Sequence, residues 1–217
     1  MIMQPFRVSI SLKTPMVEPR RPIYLDGLLS GLRVAQDETV HWEKTQHDLP
    51  LERFETGAGW CFKASAFQVK RLSSPMPWML TGRINLVKAA EDRASGLLKL
   101  RAAMPNTSGG PFKSSKFSID LIRAELTAWG VGDVDAVREL LSKCDQVGGR
   151  RSGAHGQVDS ISVEAVDEGD CKWFLRSLPH DARTEGMGVE FVCEAGNLKA
   201  PYWKQVTQEI VLVPVTA

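Results

Sequence analysis

Several absences narrow this sequence before any motif does. No apolar run approaches the roughly 18 residues of a membrane span, so no transmembrane segment is expected. The opening MIMQPFRVSIS goes straight into an alternating strand, which predicts no signal peptide and a cytoplasmic protein. Cysteine is scarce: Cys61, Cys144, Cys171 and Cys193 are far apart and form no C-x-x-C pair. A secreted disulfide framework or a zinc site is therefore not expected, and Cys61, Cys144 and Cys193 read as buried thiols on apolar faces. His41, His47 and His180 sit in polar segments without metal-ligand spacing. The sequence thus calls for no metal and no cofactor. It also lacks the aromatic signature K/R-G-F/Y-G/A-F-V-x-F/Y of an RNA-recognition strand.

A net charge of +1 over 217 residues hides a segregation of sign. Residues 36–59 carry Asp37, Glu38, Glu43, Asp48, Glu52 and Glu55 against Lys44 and Arg53. Residues 83–124 reverse this, with Arg83, Lys88, Arg93, Lys99, Arg101, Lys113, Lys116 and Arg123 against Glu91, Asp92 and Asp120. A local excess of positive charge is the footprint of a polyanion partner, or else a solvated surface insertion.

Hydrophobic spacing predicts the elements. Phe6, Val8, Ile10 and Leu12 alternate as a half-buried strand. Leu25, Leu28, Leu29 and Leu32 share one face of a helix, with Asp26 at its start and Gly27 and Gly31 suggesting close approach of another backbone. The stretch 36–59 reads as a loop or insertion. Residues 59–72 read as a strand with a bulge near Ala66, and 79–87 as a further strand. Residues 88–118, rich in small, turn-forming and basic residues, read as a protruding arm, followed by a short helix from Ser118 to Trp129. A second strong helix runs from Asp133 to Cys144 on a stripe of Val134, Val137, Leu140, Leu141 and Cys144. Ile161, Val163 and Ala165 face inward on a strand beyond it, and the tail supplies strands at 171–177, 189–194 and 206–213.

The order strand, helix, strand, strand, helix, strand predicts an α+β chain with a ferredoxin-like β-α-β-β-α-β core. The core would occupy 1–166, with the arm inserted at about 88–118 and a β-rich appendage at 167–217.

The most unusual stretch is VGGRRSGAHGQV, residues 147–158, with four glycines, two adjacent arginines and no acid. It is no P-loop, because no lysine followed by Ser or Thr stands in it. It is no Rossmann loop either, because it leaves a helix and enters a strand. What its chemistry suits is phosphate: glycines let backbone amides approach, and Arg150 and Arg151 can fork onto phosphate oxygens. His155 is a candidate general acid or base for RNA cleavage, though no partner group can be named for it. Trp78, Phe112 and Phe117 are candidate stacking residues, and an APYW segment near the end suits protein contacts.

Three stretches carry a resemblance: PIYLDGLLSGL (22–32), GGRRSGAHGQV (148–158) and APYWKQV (200–206). With the expected topology and basic arm, the chain resembles the RAMP proteins of CRISPR systems, and within them the small subunit of type IV effector complexes that caps the 5′ end of the guide RNA. The resemblance implies a role as a subunit that binds the crRNA 5′ handle and ends the row of backbone RAMP subunits. Implied partners are those subunits, the large subunit, target DNA through the assembled complex, and a DinG-type helicase. Carried onto this chain, the RNA-binding residues are Gly148, Gly149, Arg150, Arg151, Ser152, Gly153, His155 and Gly156 of the loop, with Lys113 and Lys116 in the arm. Arg20 and Arg21 lie beside the matching 22–32 stretch. Two alternatives stay open: a metal-independent endoribonuclease using His155 with Lys or Tyr partners, and a free-standing RNA-binding domain.

Overall fold

The alternation at the start of the chain forms a strand in which Phe6, Val8 and Ile10 are wholly buried. The computed structural model describes residues 2–36, 48–99, 106–109, 112–150, 153–202 and 207–215. In chain order its elements are β1 (Gln4–Leu12), β2 (Met16–Val17), α1 (Leu25–Gln36), β3 (Arg53–Thr56), β4 (Gly59–Phe62), β5 (Gln68–Arg71), β6 (Met76–Gly82), α2 (Leu86–Ala94) and β7 (Ser115–Ile122). There follow β8 (Ala124–Gly132), α3 (Val134–Leu141), β9 (Val158–Ala165), β10 (Leu178–Pro179), β11 (Phe191–Gly196) and β12 (Glu209–Pro214). The chain is α+β with mostly antiparallel sheets. It divides into two units, residues 1–74 with 122–217, and residues 75–121.

In the first unit, four strands form one antiparallel sheet in the order β5-β8-β1-β9. Alternate residues of β1 and β8 turn inward and share a core with Leu25 and Leu29 of α1 and Val137, Leu140 and Leu141 of α3. The α3 stripe was legible in full: Val134, Val137, Leu140, Leu141 and Cys144 are all buried. Asp133 starts that helix by accepting the amides of Asp135 and Ala136 on Oδ1, each at 3.1 Å. The opposite sheet face is polar. On it Arg7 meets Glu164 at 3.0 Å, and the Ser11 and Ser160 hydroxyls lie 2.7 Å apart. Hydrogen bonds from Ser162 and Arg7 lower the pKa of Glu164. A second core of Cys61, Leu178, Leu198 and Val211 lies between the β3–β4 hairpin and the three-stranded sheet β10-β12-β11.

Several expected elements differ. The helix expected from Ser118 to Trp129 is two strands, β7 and β8. Its Ala, Glu and Leu favour helix, but inward Ala124, Leu126, Ala128 and Gly130 follow period two, and tertiary pairing wins over propensity. Gly130 is required here, since a β-carbon would come within 2.7 Å of the Phe6 ring. The strand expected at 79–87 is β6 followed by a helix: Asn85 Oδ1 accepts the amides of Val87 and Lys88 at 3.0 and 3.2 Å and opens α2. The central partner of β1 is accordingly β8, not residues 79–87.

The bulged strand expected at 59–72 is two strands, β4 and β5, that belong to different sheets. The phase change marks a change of sheet, and the crossing residues Ala64, Ser65, Ala66 and Phe67 are buried. Cys193 is exposed on β11 rather than buried, while Cys171 is buried. Residues 171–177 hold turns, and the strand begins at Leu178. Ala165 is exposed, so inward alternation on β9 ends at Val163. Of the acidic stretch, 48–59 includes β3, and 37–47 lie outside the described residues.

The second unit pairs β6 with β7 antiparallel, Trp78 opposite Ile119 and Leu80 opposite Phe117. The region expected as an arm, 88–118, therefore holds most of helix α2 and the start of strand β7. Residues 100–105 and 110–111 lie outside the described residues.

Candidate nucleic-acid interface

The glycine loop leaves α3 and returns as β9, and its neck is not free backbone. Gln146 bridges Gln157, the Val147 amide donates to Gly156 O at 2.8 Å, and the Gly156 amide donates to Pro15 O at 2.9 Å. Thr14 fastens the loop from the side, its hydroxyl donating to Ala154 O and accepting from the Gln157 amide, both at 2.9 Å. Gly156 has φ +69°, and a β-carbon there would lie 2.0 Å from Val147 O. Only glycine closes this neck.

Above the neck the backbone turns through left-handed conformations at Gly148 (φ 94°), Arg150 (φ 58°) and Ala154 (φ 58°). The Gly153 amide donates to Arg150 O at 2.9 Å, which folds the tip over. Gly149, Arg150 and Gly153 are exposed. Arg151 and Ser152 lie outside the described residues. His155 is half-buried and its ring sits close against Gly153, where a β-carbon would come within 3.0 Å of it. Among the described residues no group of three or more His, Cys, Asp or Glu is placed to hold a metal ion.

The segment that fastens the loop continues to Arg20 and Arg21. Met16 is buried, and the following Pro19-Arg20-Arg21-Pro22 presents both arginines to solvent. Among the described residues neither has a carboxylate within ion-pair reach. Lys113 and Lys116, both exposed, belong to the other unit, Lys116 on β7 opposite Thr81. Of the stacking candidates, Trp78 is 49% exposed, and Phe112 and Phe117 are half-buried.

Two of the stretches that carry the resemblance meet elsewhere, at a buried arginine the sequence did not single out. Arg176 is 1% exposed and donates from all three nitrogens. Nη1 reaches Phe62 O at 2.8 Å and Ala64 O at 2.9 Å, and Nε reaches Ser177 O at 3.2 Å. Nη2 reaches Leu198 O at 2.6 Å, Tyr202 Oη at 2.7 Å and Asp26 Oδ2 at 3.4 Å. The Tyr202 hydroxyl donates to Asp26 Oδ2 at 2.6 Å, and its ring stacks on Tyr24 at 3.9 Å between centroids.

Asp26 is thus a buried acceptor as well as a first-turn acid. Gly27 makes room for the Tyr202 ring rather than for a backbone, and nothing stands within 4 Å of where a β-carbon at Gly31 would be. Burial pushes the Tyr202 hydroxyl well above its ordinary pKa. Burial opposes the charge on Arg176, but the Asp26 carboxylate outweighs it and holds the guanidinium ionised.

Also unforeseen is a cation–aromatic cluster on the β3–β4 hairpin. The Trp60 ring has Arg53 at 4.4 Å and Lys199 at 4.2 Å from its centroid. Lys199 comes from so far along the chain that no local sequence signal marks the cluster.

The fold defines an α+β protein of mostly antiparallel sheets, with exposed basic residues on the glycine loop and on the Pro19–Pro22 turn. The chain belongs to the family of CRISPR type IV associated protein Csf3, whose family model matches residues 4–214. It is therefore a subunit of a type IV CRISPR effector complex. No curated protein matches the chain. Among the described residues no helix is long and apolar enough to cross a membrane.

Proposed function

We propose that this chain is the guide-RNA-binding subunit of its complex, a RAMP protein that grips the 5′ handle of the crRNA and caps the backbone filament. The observation that carries the reading is the glycine loop. Its neck is closed by hydrogen bonds and by Gly156, and its exposed tip holds Gly149 and Arg150 in open backbone that is left-handed at Arg150. Exposed glycine backbone on a closed neck lets a phosphate chain approach the loop's amides without a side chain in the way. The sheet order β5-β8-β1-β9, with α1 after β1 and α3 after β8, supports a ferredoxin-like core beneath that loop. The role needs no cofactor. Lys113 and Lys116, both exposed on the second unit, supply further cationic contacts to RNA. The other partners are the backbone and large subunits, with target DNA reached through the assembled complex and a DinG-type helicase acting with it.

The test is to mix the purified protein with its repeat RNA in chelator and follow both gel mobility and strand length. A mobility shift with the RNA intact is the expected result. Cleavage at one position, abolished in His155→Ala, would instead make the chain the processing endoribonuclease.

A further inference from the structure

The Pro19–Pro22 turn stands over a cavity of about 710 Å3, within the size range of small-molecule sites, about 300–1,000 Å3. Its walls divide by chemistry. Ile23, Phe67, Val69 and Leu175 supply apolar surface, and Arg20, Arg21 and Arg71 bring guanidinium groups to it. One acid lines it, Glu18, which is paired with Arg71. Arg176, also in the lining, is paired with Asp26, which leaves Arg20 and Arg21 as the excess charge. Gln68 adds an amide that can donate and accept.

The turn is held before any ligand arrives. Proline on either side of the arginine pair fixes φ at Pro19 and Pro22 and restricts Arg21 to extended backbone. Below it the Phe67 amide donates to Ile23 O at 2.7 Å, and the Leu25 amide donates to Ser65 O at 3.1 Å. Two guanidiniums on so stiff a segment lose little freedom on binding. Tyr24, which also lines the cavity, is already stacked on Tyr202, so a flat ligand would stack on arginine planes and lie on the apolar wall that includes Phe67.

We propose that this cavity receives one nucleotide of the bound RNA, its base turned out of the strand onto the apolar wall and its phosphates on Arg20 and Arg21. The inference rests on the guide-RNA reading and adds a base-holding site to it. A nucleotide is the occupant because it is at once flat, apolar on its faces and anionic at its edge. An acidic peptide would supply the charge without a planar body for the arginines to stack on.

The experiment uses the full chain with its repeat RNA, substituted one position at a time with 4-thiouridine, irradiated and mapped by peptide mass spectrometry. One position should crosslink within 18–24 or 66–71. Replacing that nucleotide by an abasic one should weaken binding by about tenfold, the loss of one held base. Arg20→Ala with Arg21→Ala, on exposed side chains, should weaken binding by a similar factor and remove the crosslink. RNA that binds but crosslinks only elsewhere, or that tolerates the abasic position, would overturn the cavity proposal and leave guide binding standing. RNA that does not bind at all would remove the functional reading and this inference together.

Discussion

Arginine does opposite work in two regions of the first unit. Arg176 is sealed under the β4–β5 crossing with all three nitrogens donating to protein acceptors. Arg20, Arg21 and Arg150 stand on exposed turns, two of them bracketed by prolines and the third on a left-handed residue. The buried one joins α1, the sheet crossing and the 198–202 segment, so its charge is spent inside the fold. Of the exposed ones, Arg20 and Arg21 stand on a turn stiffened by proline on either side, and their side chains face solvent. The lesson is that a basic count says little: where the donors are satisfied decides whether an arginine builds the structure or binds a ligand.

The sharpest way to break the comparison is to remove the buried member. Arg176→Met keeps much of the volume but leaves the buried Asp26 without its guanidinium partner and the carbonyls of Phe62, Ala64, Ser177 and Leu198 without their donor. Breaking a buried pair from one side costs about 3–5 kcal/mol. Denaturant unfolding should show stability lowered by that amount, and a value within about 1 kcal/mol of the parent would mean Arg176 is not structural.

A smaller effect is expected from Tyr202→Phe, which removes the hydroxyl shared by Asp26 and Arg176. A hydrogen bond to charged groups contributes about 1.5–3 kcal/mol, so unfolding at neutral pH should show a loss of that size. The pH dependence has a definite sign. Burial raises the folded-state pKa of Tyr202 above the ordinary value of 10.0. Above about pH 10 the unfolded chain releases this proton while the folded chain keeps it. The unfolded state then binds fewer protons, and stability falls as pH rises toward the folded pKa. Tyr202→Phe should flatten that alkaline decline; an unchanged slope would mean the hydroxyl titrates normally.

How much of this could be read from residues alone follows from the range of each interaction. The α3 stripe and β1 were legible because their buried residues repeat at fixed local periods. β8 was not: its inward positions are small (Ala124, Ala128, Gly130), and Trp129 on the other face blurs the alternation. Asn85 before Leu86 and Val87 is a cap signal that a single long strand over 79–87 obscures. The Arg176 network joins residues 26, 62, 64, 198 and 202, and no window of sequence contains such a set. The candidate interface divided in the same way. The composition of the loop and the Arg20–Arg21 pair stood out locally, whereas Arg71 reaches the same cavity from a distant strand, β5.

The exposed side of the comparison should give the smallest change in stability. Arg150→Ala with Arg151→Ala should leave the unfolding free energy within about 0.5 kcal/mol of the parent, since alanine keeps the β-carbon that Arg150 already carries in its left-handed backbone. RNA binding should respond instead. For a single strand, every phosphate that a side chain no longer neutralises lowers the slope of log affinity against log salt by about 0.7. Freeing two phosphates would therefore make binding visibly less sensitive to salt, and weakest relative to the parent at low ionic strength. A drop in affinity at constant slope would mean these arginines act through shape or stacking. Equal affinity at every salt concentration would remove the loop tip from the interface and leave the Arg20–Arg21 turn as the cationic surface of this unit to test next.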